Sequence, residues 1–159
     1  MANLTGRAQI FRGDTSIIDA DIQHQLGTRA MDVDGNEYIY LQGVASVVAG
    51  SWVVFDEDYV TTRTVANSKG RVAVAMAAIA TTSDYGWFQV YGKNTIALAI
   101  SGGSAAADAQ VFLTSTAGQV DDVDVATDLV TGALFRVAES SGVVTVELNY
   151  PMCLNVVYN

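Results

Sequence analysis

The chain is poor in the residues that carry out chemistry. Its 159 residues hold one cysteine, Cys153, one histidine, His24, and one proline, Pro151. A lone cysteine excludes an intrachain disulfide and any site built on several thiolates; Cys153 reads as a buried apolar thiol. A lone histidine leaves a triad or dyad with one candidate base, and His24 reads as a satisfied polar residue in an irregular N-terminal stretch. Charge is scarce as well, at 16% Asp, Glu, Lys and Arg against about 25% in ordinary globular chains. The cations are the scarcer sign: eight Lys and Arg against seventeen Asp and Glu give a formal net charge of −9. That argues against a nucleic-acid partner, because phosphate affinity comes from clustered Lys and Arg, and here Lys69 with Arg71 is the one local basic pair. No apolar run approaches the roughly 18 residues of a membrane span. The start, Met1-Ala2-Asn3-Leu4-Thr5-Gly6-Arg7, lacks the apolar core of a secretory leader. The expectation is a chain made in a cytoplasm, with no membrane partner.

Catalytic motifs are missing too. Ile100-Ser101-Gly102-Gly103-Ser104 has the wrong order for a nucleophile elbow and reads as a flexible loop. Phosphate-loop and dinucleotide glycine patterns are absent. The reading is a protein that is not an enzyme and calls for no cofactor.

What is present is apolar and β-forming. The length fits one domain with a real core. Half of the residues are hydrophobic and the mean hydropathy is +0.28, more apolar surface than one small domain needs, so part of it is expected to close a subunit interface. The densest stretch is Gly86-Trp87-Phe88-Gln89-Val90-Tyr91-Gly92. Strand alternation turns Trp87, Gln89 and Tyr91 one way and Phe88 and Val90 the other. Large groups on both faces set this strand between two layers, one of which could belong to another subunit.

Residues 1–25 are the least regular part, anchored by Ile10 and Phe11 and then Ile17, Ile18 and Ile22. Ile18, Ile22 and Leu26 are spaced for a short helix that Gly27 could end; the alternative is an extended arm lying across a neighbouring subunit. From residue 26 to 159 the pattern is one β domain. Residues 29–33 and 37–42 flank Asp34-Gly35, a turn type that suits a hairpin. Residues 44–48 lead through Gly50 and Ser51 into Trp52-Val53-Val54-Phe55. In residues 71–77, Val72, Val74 and Met76 share one face and alanines fill the other, where small side chains let another layer approach. Further strands read at 95–100, 109–113, 130–138 and 143–148, with Pro151 after them. Strands recurring at this spacing imply an antiparallel β-sandwich or jelly-roll-like barrel.

Two non-enzymatic binding sites come into view. Asp32-Val33-Asp34-Gly35-Asn36 sets oxygen side chains on alternate residues, but glycine comes too early and the closing glutamate is missing for a calcium loop. Asp121, Asp122, Asp124 and Asp128 form a second acidic group, read as a solvated loop with a structural calcium ion as the alternative. Trp52, Trp87, Tyr38, Tyr40, Tyr85 and Tyr91 are numerous enough for a carbohydrate-stacking surface, although core or interface packing is the favoured use.

Two stretches carry a resemblance. Leu26-Gly27-Thr28-Arg29 runs through Asp34-Gly35-Asn36-Glu37-Tyr38-Ile39-Tyr40 to Ala49-Gly50-Ser51-Trp52-Val53-Val54, a leucine-glycine-threonine start, a glycine-tipped aromatic hairpin and an alanine-glycine lead into a strand. Tyr85 to Gly92 continues through 105–111 to Thr116-Ala117-Gly118-Gln119-Val120-Asp121-Asp122, with Gly132-Ala133 beyond. Together these resemble the head decoration, or cement, proteins of tailed bacteriophages over most of residues 26–138. The resemblance implies a β-sandwich or jelly-roll-like virion protein on the outer capsid surface, made in the host cytoplasm. It also implies a homotrimer that clamps neighbouring major capsid subunits. Trp87, Phe88, Tyr91, Ile10 and Phe11 are the expected interface residues, and residues 1–25 fall outside the resemblance. The alternative is a tail or fibre component with a glycan-binding surface.

Overall fold

A computed structural model describes residues 13–103 and 105–154. Ile10 and Phe11 lie outside the described residues. The fold is all-β, antiparallel and sandwich-like, with no helix among the described residues. Ten strands follow in order: β1 (Arg29–Met31), β2 (Glu37–Gln42), β3 (Trp52–Phe55), β4 (Thr61–Arg63), β5 (Gly70–Ala75), β6 (Tyr85–Leu98), β7 (Gln110–Leu113), β8 (Val120–Asp121), β9 (Leu129–Ser140) and β10 (Val143–Cys153). They are hydrogen-bonded in the order β1-β2-β6-β5-β10-β9-β7-β8, and β3 pairs with both β5 and β4. Val, Thr and aromatic side chains fill these segments because they suit a pleated, packed surface.

The architecture turns on a seam where β5, β6 and β10 each pair with the other two. The first half of β6 pairs with β2 and, at Phe88 and Gln89, with β5; from Tyr91 onward it pairs with β10. The change falls at Gly92, whose φ of 94° lies in the left-handed region that favours glycine. Two strands expected at 86–92 and 95–100 are thus one bent strand. β10 changes partner at the same level, leaving β6 after Asn149 and meeting β5 at Met152 and Cys153. Pro151, expected beyond the last strand, lies inside it. It falls where the β9–β10 register slips between Leu148 and Met152, so its missing N–H breaks no ladder bond.

Alternation on β5 divides the core. Val72 and Val74 join Trp52, Phe135, Val146 and Leu148 in the largest cluster, whereas Ala73 and Ala75 face a second cluster with Ile39, Leu41, Phe55, Phe88 and Val90. The alanine face admits a close layer, as expected from the sequence. Met76 departs from it: the strand ends at Ala75, and Met76 packs instead against a third cluster of Tyr38, Tyr40 and Trp87.

Other expectations change in detail. No helix forms over 18–26; that stretch is turns and bends with an isolated bridge between Asp19 and Tyr85. Periodic isoleucines here serve a segment tied to its own sheet, since Ile18 packs on the second cluster and Tyr40 Oη donates to Asp19 Oδ2 at 2.6 Å. The hairpin at Asp34-Gly35 has a five-residue loop, because β1 stops at Met31, which pairs with Glu37. The tight two-residue turn is instead Ser141-Gly142, with φ of 55° and 81°, which joins β9 to β10. Residues 44–48 form no strand, only a bridge from Val47 to Ile79.

Candidate interaction surface

The aromatic strand is buried on both faces by its own chain. Phe88 is fully buried in the second cluster and Trp87 is 5% exposed in the third. Both therefore stand on the core side of the core-or-interface expectation. Tyr91 behaves differently. The β2–β6 register slips between Glu37 and Tyr38, so Tyr91 escapes the alternation that buries Trp87 and Gln89. It is 39% exposed, and its ring lies 5.3 Å from that of Tyr150, itself 46% exposed.

This tyrosine pair is held in place by ionic neighbours. Tyr150 Oη donates to Glu37 Oε2 at 2.8 Å, Arg29 reaches within 3.8 Å of the same oxygen, and the Arg29 guanidinium lies 5.4 Å from the Tyr150 ring centre. The hydrogen bond to Glu37, helped by slight burial, raises the Tyr150 phenol above its ordinary range. Tyr150 escaped the sequence reading because it follows the last recognised strand. Its only signal was the neighbouring Pro151.

From Tyr91 a groove crosses β6, β10 and β9. Cross-strand pairing sets Lys93 opposite Glu147 and Glu147 opposite Leu134. Two adjoining hollows of about 250 and 200 Å³ share Arg136 and Glu147. Arg136 donates from Nε and Nη2 to Glu147 Oε2, at 2.8 and 2.7 Å, and from Nη1 to Asp108 Oδ1 at 2.7 Å. Bonds to these two carboxylates raise the guanidinium's pKa further and fix its position.

The aromatic platform read from the sequence does not form. Trp52 and Tyr40 are fully buried, Tyr38 and Trp87 nearly so. Tyr40 faces His24, whose ring stands edge-on 5.0 Å away, and lies 6.3 Å from Tyr85. Burial and the hydrogen bond to Asp19 push the Tyr40 phenol up to about 12.

Both acidic groups spend carboxylate oxygens on hydrogen bonds within the chain. Asp32 Oδ1 accepts from the backbone N–H groups of Asp34 and Asn36, and its Oδ2 from Asn36 Nδ2 and Tyr38 Oη. Burial works against ionisation here, but these four donors outweigh it and hold the carboxyl below its ordinary value. In the second group Asp128 is buried and accepts from Asn67 N–H, while Asp122 accepts from Ala106 N–H. Among the described residues no three His, Cys, Asp or Glu side chains are arranged to hold a metal ion.

A further hollow, about 530 Å³, lies beside Phe55, Lys69, Arg71 and Met152. Arg71 lies 4.5 Å from the Phe55 ring centre and donates to the Asp56 carbonyl, so one member of the basic pair is already engaged. Cys153 is buried, and burial pushes its thiol up to about 11. No helix among the described residues is long and apolar enough to cross a membrane. No family profile, curated protein or solved structure matches this chain.

Proposed function

We propose that the chain is a structural virion protein, a homotrimer that binds the outer surface of a phage capsid and stabilises the shell by clamping adjacent major capsid subunits. The observation that carries this reading is the segment before β1. Ile17 and Ile22 are 54% and 52% exposed, while Ile18 and Asp19 between them fasten the segment to the sheet. Apolar side chains held outward on a fastened segment suit docking, because less ordering entropy is lost on binding. The resemblance of residues 26–138 to decoration proteins supports the same reading. The charge of −9 per chain keeps free trimers from aggregating before they meet the shell. Such a clamp acts by mass action, adding about 2.7 kcal/mol per site at a hundredfold excess over Kd.

Sedimentation velocity with multi-angle light scattering, run with and without expanded empty capsids, tests the proposal. A trimer that co-sediments in many copies, and loses occupancy in the Ile17→Ser/Ile22→Ser variant, is the expected result. A monomer that stays in the supernatant overturns it. The second reading, a tail or fibre component, draws on the exposed Tyr91 and Tyr150. Labelled protein at one vertex rather than over the whole shell would favour it.

A further inference from the structure

We propose that the groove across β6, β10 and β9 is a binding site for a neutral oligosaccharide. This goes beyond the capsid reading and holds wherever on a particle the chain sits. A sugar ring offers two kinds of surface: C–H faces that settle on the electron-rich face of an aromatic ring, and hydroxyls that both donate and accept. The groove supplies a match for each. Tyr91 stands at one end, exposed and backed by Tyr150 at 5.3 Å. A ring supported from behind gives contact area at little entropic cost.

Beyond Tyr91 come both hydrogen-bonding senses. Arg136 spends Glu147 Oε2 on its own fork, which leaves Glu147 Oε1 as an acceptor at the groove. Among the described residues the Lys93 ammonium and the Asn149 side-chain amide have no polar partner. Both line the groove, and they supply donors and, from Asn149, an acceptor. The ionic charge is largely balanced, because Arg136 is offset by Glu147 and Asp108. That balance suits hydroxyls better than a phosphate or sulfate.

Shape agrees with this assignment. Three strands at about 4.8 Å spacing place the outer two roughly 10 Å apart, the scale of a disaccharide. Gly132, which lines the groove, takes a positive φ of 74°. A Cβ on Gly132 would come 2.5 Å from the Asn149 carbonyl oxygen, so glycine is required there by the backbone that builds the hollow. A concave site with an aromatic wall and a few convergent polar groups has the anatomy of a small-ligand site.

The experiment is a broad glycan array on the full chain, followed by calorimetric titration with cellotriose, maltotriose and chitotriose. Expected is saturable binding of at least one neutral glycan, weakened tenfold or more by Tyr91→Ala and by Asn149→Ala. Tyr91→Phe retains the ring and should stay within about threefold of the parent, and Lys69→Ala, in the separate hollow beside Phe55, should not change it. Thermal melts check that each variant is folded. An array at background throughout overturns the proposal, as does binding that Tyr91→Ala and Asn149→Ala leave intact. A response confined to sulfated or phosphorylated glycans would also overturn it and assign the groove to anions.

Discussion

Asn94 donates its side-chain amide to Gln89 Oε1 at 2.8 Å across the bend of β6, and both side chains are buried, at 1% and 2% exposure. Gln89 Nε2 in turn donates to the carbonyls of Tyr91 and Lys93, at 3.0 and 3.1 Å, and Asn94 Oδ1 accepts from Ile96 N–H at 2.9 Å. Two amides thus satisfy the backbone groups that a bent strand withdraws from its ladder. Replacing Gln89 or Asn94 by Ala leaves buried polar groups unpaired, at a cost of about 1–3 kcal/mol each. The double variant should lose less than the sum, because one network is broken twice. Urea unfolding of the four proteins checks this; strict additivity would show that the two amides act independently.

Two glycines, Gly92 at the bend of β6 and Gly35 in the β1–β2 loop, should respond differently to alanine. At Gly92 a Cβ would sit 2.2 Å from Asn36 Oδ1, the atom that accepts Lys93 N–H at 2.9 Å, and φ is 94°. Gly35 has φ of 84° but nothing within 4 Å of its Cβ position. Gly92→Ala therefore adds a clash and a lost hydrogen bond to conformational strain, whereas Gly35→Ala carries strain alone, of order 1 kcal/mol. The expected order of urea midpoints is parent, then Gly35→Ala, then Gly92→Ala. Equal losses at the two positions would contradict the close approach of β6 to the β1–β2 loop.

The strands were legible where local pattern and tertiary context agree. Alternation on β5 gave the valine and alanine faces, and glycine with turn residues marked most of the loops. What stayed hidden came from register. The slip at Glu37 sends Tyr91 to the surface while Trp87 goes inside, and no period-two reading can reveal it, because the slip depends on which strand lies opposite. Pro151 misled for the same reason: it reads as a stop unless the bulge beside β9 is known. The groove joins β6 to the later β9–β10 hairpin, and Lys93, Arg136, Glu147 and Asn149 carry no shared local motif.

Proton linkage should limit stability at both ends of the pH range. Asp32 is held below its ordinary pKa by its four donors. Its contribution is present above the unfolded value of about 3.9 and is lost as pH falls through the lower folded value. Tyr40 is raised to about 12 from 10.0. Its contribution is present below pH 10 and fades as pH rises toward 12. Asp32→Asn should thus flatten the acid limb of a stability–pH curve, and Tyr40→Phe the alkaline limb. Absorbance titration at the phenolate band of the folded protein should show a late component that Tyr38→Phe and Tyr40→Phe each reduce, and its absence would contradict the raised pKa of these two phenols.

The segment before β1 should open without unfolding the sheet. Asp19 and Tyr85 exchange backbone hydrogen bonds at 2.9 and 2.8 Å, and the Tyr40 hydroxyl secures Asp19 from the adjacent strand. Few other polar contacts hold residues 14–25, so their local opening costs less than global unfolding. Tyr40→Phe removes the hydroxyl and keeps the ring beside Trp87, 5.2 Å away. Amide exchange at Asp19 and Tyr85 should then accelerate, by roughly tenfold for each 1.4 kcal/mol of fastening lost. The amides of Phe88 and Val146, deep in the two main clusters, should slow or quicken only with global stability. If all four amides changed together, the segment would be part of the cooperative core rather than a unit that opens by itself.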